Sequence, residues 1–350
     1  MLYLVGHLGL LFLILLAMES GTFAGDLVIT AVGDIMLAGQ ASRTLATRGF
    51  DHPFSGTVAE LRKGDILVGN LEAPLTRGGT EFTGKKFRFR TRPEAAAALS
   101  RAGFSVLTLA NNHIMDFGAE GLAETLSSLD RAKILHAGAG ATLAEARHEA
   151  LITARGMRVA FLAYSLTYPA EFYAGAVHPG AAQGIAGRVR DDIRRVRGSA
   201  EYVVVSFHWG AELEGMPKPY QRQAAHAAVD AGADLVLGHH PHVLQGIERY
   251  RGKSIFYSLG NFAFGSMSRS ADRSMIARIT LGERGQSVEL LPLNVLNSEV
   301  GFCPALLTGK RGEAVIARLN LLSASFNSRV TLSGGRYLLE ETVKTAELRK

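Results

Sequence analysis

Six apolar, strand-like runs in this chain each end on side chains that ligate metals or carry carboxylates. Ala31-Val32-Gly33 runs into Asp34, and Ile66-Leu67-Val68-Gly69 runs into Asn70 and Glu72. Val106 to Ala110 runs into Asn111, Asn112 and His113, and Val203 to Phe207 into His208. Leu235 to Gly238 runs into His239, His240 and His242, and Ile255 to Gly260 into Asn261. Open α/β sheets bind ligands in the crevice at the carboxyl ends of their strands. Strands of one direction therefore bring all six clusters to one edge. Asp, Glu, Asn and His gathered there form a ligand set for one or two hydrolytic divalent metals. Clusters from Asp34 to Asn261 have to meet, which argues against a domain split before about residue 265.

Each cluster has an ordinary reading when taken alone. Asp34 after Gly33 would be a turn or helix-capping residue, and His208 a hydrogen-bonded core histidine. His240-Pro241-His242 is more specific. Proline holds its own φ near −65°, so imidazoles on either side can be aimed at one point. Asn111-Asn112-His113, with Asp116 and Gly118 behind it, is a polar knot directly after five apolar residues. The metal reading rests on the coincidence of these clusters at successive strand ends.

The remaining pattern alternates strand and helix. Leu27 to Ala31 predicts the first strand. Pro93 suits a first helical turn, Glu94 to Leu99 continues it, and Gly103 ends it before a strand from Phe104. Gly121 to Lys133 predicts a helix, with Leu122, Leu126 and Leu129 on one face. Met157 to Tyr164 predicts a buried strand, Gly187 to Arg197 a polar helix, and Tyr220 to Ala231 a helix closed by Gly232. Alternation of this kind argues α/β. Met275 to Leu281 and Ser287 to Leu296 follow one another without a helix, as antiparallel strands would. Gly312 to Phe326 suggests one late helix. There is no internal repeat and no low-complexity linker.

A hydrophobic fraction of 47% with 20% charged residues fits a chain with a sizeable core. The formal charge of +6 is compatible with an anionic substrate or membrane surface. No long basic run or basic helix occurs, so no nucleic-acid partner is expected. The single cysteine, Cys303, excludes an internal disulfide and a thiolate metal site, and reads as a small buried residue.

Met1 to Met18 carries no charged side chain. As a helix it would span roughly 27 Å, borderline for a bilayer. Thr22-Phe23-Ala24 before Gly25 places small residues where a signal peptidase reads. No Lys or Arg precedes the apolar core. Residues 1–24 are therefore expected to be a signal peptide or membrane anchor, with a buried first helix as the alternative. Residues 25–350 are expected to form a single domain, its motifs within 27–264 and its C-terminal strands and helix within 270–350.

The motifs resemble a known family. Gly33-Asp34-Ile35-Met36, Gly69-Asn70-Leu71-Glu72, Ala110-Asn111-Asn112-His113 with Asp116-Phe117-Gly118, His208-Trp209-Gly210 with Glu212, Gly238 to Val243, and Ser258 to Phe262 occur in the order of the CapA family. These are proteins of capsule and poly-γ-glutamate synthesis, similar in turn to calcineurin-like metallophosphoesterases. The resemblance implies a four-layer αββα sandwich of two mixed β-sheets. It implies metal ligation by Asp34, Glu72, Asn112, His208, His240 and His242, with His113 beside the substrate as the catalytic proton donor. Asn70, Arg88, Arg90 and Asn261 are the expected substrate-binding residues. The metallophosphoesterase pattern opens Asp-x-His, whereas this chain has Asp34-Ile35-Met36. One divalent ion, or one tight and one weak, of the Mn, Fe, Zn or Mg class is therefore expected.

The resemblance further implies an exported protein, periplasmic, extracellular or membrane-anchored, that works with capsule-synthesis machinery. As an enzyme it would hydrolyse a phosphoester or a γ-glutamyl bond. As an assembly or export factor it would bind the polymer without turnover. Lys85 to Arg92 alternates with period two: Lys86, Arg88, Arg90 and Arg92 on one face, Phe87 and Phe89 on the other. Such a segment is either an edge strand with its cations in water or a basic flank of the metal cleft that grips an anionic polymer or phosphorylated substrate.

Overall fold

The computed structural model describes residues 25–326 and 328–341. The expected signal or anchor, residues 1–24, lies outside them. Among the described residues no helix is long and apolar enough to cross a membrane.

Two mixed β-sheets stack face to face. In the first sheet, Leu27–Met36, Ile66–Leu71, Val106–Thr108 and Leu135–Ala137 run parallel in that order. Antiparallel Arg273–Gly282 and Gly285–Asn294 extend it beyond the first strand. In the second sheet, Met157–Ser165, Tyr202–His208, Leu235–His239 and Lys253–Phe256 run parallel. Ala150–Ala154 and Ile247–Tyr250 close its edges antiparallel. The strands read as near-continuous apolar runs because both of their faces are covered.

Three apolar layers account for the stacking. Leu27, Ile29, Ala31, Ile66 and Val68 face Val159, Phe161, Val204, Leu235 and Leu237 across the two sheets. Side chains of the opposite parity, Val32, Ile35, Leu67, Leu71 and Leu107, pack on Ala95–Ala102 and Gly118–Arg131 through Ala98, Leu99, Leu122 and Leu129. Outside the second sheet, Leu162, Val203, Val205 and Val236 pack on Ala186–Arg197 and Pro219–Ala231 through Val189, Ile193, Ala225 and Ala228. The arrangement is helix, sheet, sheet, helix: the four-layer sandwich that the motifs implied. The late helix runs Gly309–Ser323, earlier in the chain than the sequence pattern suggests, and adds Val315, Ile316 and Leu319 to the layer between the sheets.

Glycines end two helices as expected. Gly103 and Gly232 both adopt left-handed φ, +107° and +119°, and their N–H groups close the preceding turns. The segment 85–92 differs from its period-two pattern and forms no strand. Apart from a bridge from Thr91 to Leu75 it is irregular. Its side chains are instead placed one by one by partners from other elements, described below.

Candidate metal centre

The carboxyl ends of Leu27–Met36, Ile66–Leu71 and Val106–Thr108 meet those of Tyr202–His208 and Leu235–His239, so both sheets deliver ligands to one cleft. The first strand slips register with Ile66–Leu71 between Ala31 and Asp34, as a bulge does when it re-aims a side chain. The chain then crosses from the second sheet to the first. After Lys253–Phe256 it enters Asn261–Phe264, which pairs beside the first strand with Asn261 opposite Asp34. Gly260 makes this crossing at φ +72°, and its carbonyl accepts the Asp34 N–H at 3.0 Å. A Cβ on Gly33 would lie 1.8 Å from that carbonyl oxygen, so the close approach requires glycine.

Asp34 and Glu72 are wholly buried. Asp34 Oδ1 accepts from Asn70 Nδ2 at 2.9 Å and lies 3.0 Å from His239 Nδ1, while Oδ2 accepts the His240 backbone N–H at 3.1 Å. Burial alone would raise the Asp34 pKa, but the hydrogen bonds of His239 and His242 hold it well below the usual carboxylate range. Glu72 goes the other way: burial, reinforced by the charge of Asp34, pushes it well up. Its Oε1 lies 3.4 Å from His208 Nε2 and 3.7 Å from His242 Nε2, yet accepts no hydrogen bond.

The histidines complete two sets. Glu72, His208 and His240 form one, and Asp34, Glu72 and His242 the other; within each set the donor atoms lie within 4.8 Å of one another. Glu72 belongs to both. Asn112 joins the first set, its Oδ1 2.9 Å from His208 Nε2. Burial drives His208 well below its ordinary pKa and takes His240 to about 3, with His242 adding repulsion. Both are therefore neutral, the state in which imidazole ligates a metal. His242 departs: burial lowers it, but Glu72 and Asp34 lift it to about 9. The buried His240 Nδ1 has no hydrogen-bond partner. Two orphaned buried atoms, Glu72 Oε1 and His240 Nδ1, facing neutral imidazoles and carboxylates fit a divalent cation. The set of one carboxylate and two imidazoles suits a Zn or Fe type ion, and the set of two carboxylates a harder Mn or Mg type.

Met36 occupies the position of the missing histidine. It packs with Ala38, Ala73, Phe89 and Phe264 and offers no nitrogen to the second set.

The other expected site residues take varied places. Asn70 does not face the cavity; it lies buried beneath the ligands, its Nδ2 2.9 Å from Asp34, 3.4 Å from Glu72 and 3.4 Å from His208. Asn261 Oδ1 lies 2.9 Å from His242 Nδ1, which leaves Nε2 as the nitrogen open to a ligand. His113 lines the cavity, with Nδ1 2.7 Å from Asp116 Oδ2 and 2.9 Å from Lys85 Nζ. Nδ1 cannot donate to one and accept from the other. Lys85 already holds Asp116 Oδ1 at 2.6 Å and the Asn112 carbonyl, so we assign the Nδ1 proton to Asp116. Burial lowers the His113 pKa, partly countered by Asp116. Arg88 pairs with Glu81 at 2.7 Å, and the Arg90 guanidinium lies over the Phe117 ring. Neither lines the cavity.

Sequence reasoning left out Lys85 and His239 as site residues. Both had a signal. Lys85 shares the odd parity of Phe87 and Phe89, which line the cavity, and His239 opens the run His239-His240-Pro241-His242.

Comparison with known proteins agrees with the motifs. Residues 28–266 match the family model described as Bacterial capsule synthesis protein PGA_cap. The chain is 33% identical over 277 residues to the Capsule biosynthesis protein CapA of Bacillus anthracis, covering 77% of this chain and 67% of that protein. It is 34% identical over 259 residues to the PGA biosynthesis protein CapA of Bacillus subtilis (strain 168), covering 73% and 68%. Among solved structures it is similar to the calcineurin-like phosphoesterase YfkN of Bacillus subtilis, at 14% identity and a TM-score of 0.41, over 85% of this chain and 96% of that one.

Proposed function

The chain belongs to the bacterial capsule synthesis family PGA_cap, and on that premise we propose that it is an exported, metal-dependent hydrolase of capsule or poly-γ-glutamate synthesis or processing. The observation that carries the reading is the pair of ligand sets sharing Glu72 beside a cavity-facing His113. A binding module has no use for an imidazole held by a buried carboxylate at such a place.

Asp34, Glu72, Asn112, His208, His240 and His242 would hold one or two divalent ions. When bound, such an ion would supply Lewis acidity toward a substrate oxygen and would lower the pKa of water. The chain's own residues do the rest. Asn70 and His239 hold the Asp34 carboxylate, and Asn261 holds the His242 ring. Asp116 holds the His113 Nδ1 proton and so orients the ring; Nε2 takes up the proton that the attacking water releases and passes it to the leaving atom. Water supplies the oxygen that bonds to phosphorus or carbonyl carbon, the bond to the leaving oxygen or nitrogen breaks, and that atom takes the proton. Export rests on the uncharged stretch Met1 to Met18.

The test uses purified protein loaded with Mn²⁺. Turnover of bis-p-nitrophenyl phosphate that disappears in Asn112→Ala supports the reading. Full metal loading with no turnover of phosphodiester or γ-glutamyl oligomer would favour the second reading, a polymer-binding assembly factor. The replacement of a ligating histidine by Met36 is the observation on that side.

A further inference from the structure

The cavity beside the ligands has a volume of about 470 Å³. Part of its wall is aromatic and apolar, built from Phe87, Phe89, Phe264 and Met36, and polar side chains such as Gln40 and Ser268 complete it. The Phe87 and Phe89 rings lie nearly parallel, at 5° with centroids 6.4 Å apart, and Phe87 is 59% exposed. Among the described residues no Lys or Arg lines the cavity. Of the cations in the adjoining segment, Lys85 is engaged by Asp116, Arg88 by Glu81 and Arg90 lies over Phe117, while the exposed Lys86 places its Nζ 5.1 Å from the Phe87 ring centroid. The one carboxylate at the rim is Glu212, exposed and without an ion-pair or hydrogen-bond partner among the described residues. It is close enough to raise the pKa of both Glu72 and His242.

This lining is a poor match for a chain of carboxylates. A polyanion would find Lys86 at the Phe87 ring but no cation in the lining itself, where it would meet Glu212 and aromatic faces, each face the negative side of a ring quadrupole. A sugar ring matches on every side. Its C–H face packs on an aromatic face through area burial and weak C–H contacts. Its hydroxyls donate to a carboxylate such as Glu212 and exchange hydrogen bonds with Gln40 and Ser268 on the same wall. Resting on the hydrolase reading above, we propose that the organic half of the substrate is a sugar ring, seated on Phe87 and Phe89 with Glu212 on its hydroxyls. The substrate class is then a glycosyl phosphoester, with the phosphate at the ligand sets and the ring in the cavity.

Calorimetric titration of the Mn²⁺-loaded protein tests this without requiring turnover. Three probes suffice: glucose 1-phosphate, inorganic phosphate and penta-γ-glutamate. Glucose 1-phosphate should bind roughly tenfold tighter than inorganic phosphate, about the size of one aromatic contact. Phe87→Ala should erase most of that gain while leaving inorganic phosphate unchanged, and Phe87→Trp should keep it. Because Phe87 is largely exposed, the variant tests binding rather than folding. Penta-γ-glutamate should bind more weakly than the sugar phosphate and gain several-fold in Glu212→Gln. Undetectable glucose 1-phosphate binding, a Phe87→Ala variant that binds it normally, or tighter binding of penta-γ-glutamate each overturns the proposal. The expected binding pattern with no hydrolysis of any phosphoester would instead sink the hydrolase reading and leave the ring site standing.

Discussion

His240 and His242 have φ of +94° and +60°, on either side of Pro241. For residues with a Cβ this is strained backbone, worth about 1–3 kcal/mol each, and it persists where the surroundings over-determine it. Here it turns the His240 N–H onto Asp34 and two imidazoles into one cleft. Glycine relieves the strain and removes the ligand, whereas alanine removes the ligand alone. His240→Gly should therefore be more stable than His240→Ala by about 1 kcal/mol, read as a higher melting temperature, with both variants missing one ion by elemental analysis. Glu72→Gln, which touches both ligand sets, should lose all bound ion. His113→Ala should keep its metal and lose ~10²-fold or more in hydrolysis, as expected for an absent proton donor. Lys85→Met strands the buried Asp116 carboxylate and should destabilise by about 3 kcal/mol; adding Asp116→Asn should recover part of it in a thermal melt. The clustered ligands were legible because each closes an apolar run. Lys85 was legible only through the parity it shares with Phe87 and Phe89, and its partner Asp116 lies too far along the chain for that parity to name.

The crossing at Gly260 makes the site depend on contact between two segments far apart in sequence. Gly33→Ala forces the first strand away from the Gly260 carbonyl, whose oxygen the new Cβ would approach to 1.8 Å. It should destabilise by more than about 3 kcal/mol, as overpacking at its upper end does, and should weaken metal binding as Asp34 moves. Gly78→Ala is the control: no atom lies within 4 Å of its Cβ position, so its melting temperature should stay level or rise slightly. Parallel strands and their helices were legible from apolar runs ended by glycine, as at Gly103 and Gly232. The strand-like alternation of 85–92 misled, because long-range partners such as Asp116, Glu81 and Phe117 outweigh local pattern. The register slip near Asp34 left no mark beyond one glycine.

Across the whole molecule, the ligand sets fasten one sheet to the other. Asp34 and Glu72 belong to the first sheet, and His208 and His240 to the end of the second. On the metal reading an ion between them would tie the two halves together, so chelation should lower the melting temperature. A ligand at a thousand times its dissociation constant adds about 4 kcal/mol, and in Glu72→Gln the chelator should have no further effect. The stacking of the sheets followed from strands apolar on both faces. The cavity did not, because its wall is assembled from segments with no common pattern. The first strand has a further consequence. From Leu27 to Asp34 it runs straight through the sheet, roughly 23 Å at ~3.3 Å per residue. Leu27 therefore lies at one pole of the sheet and the cavity opens at the other. Any surface that held the molecule by its Leu27 pole would leave the mouth facing outward, toward whatever diffuses past.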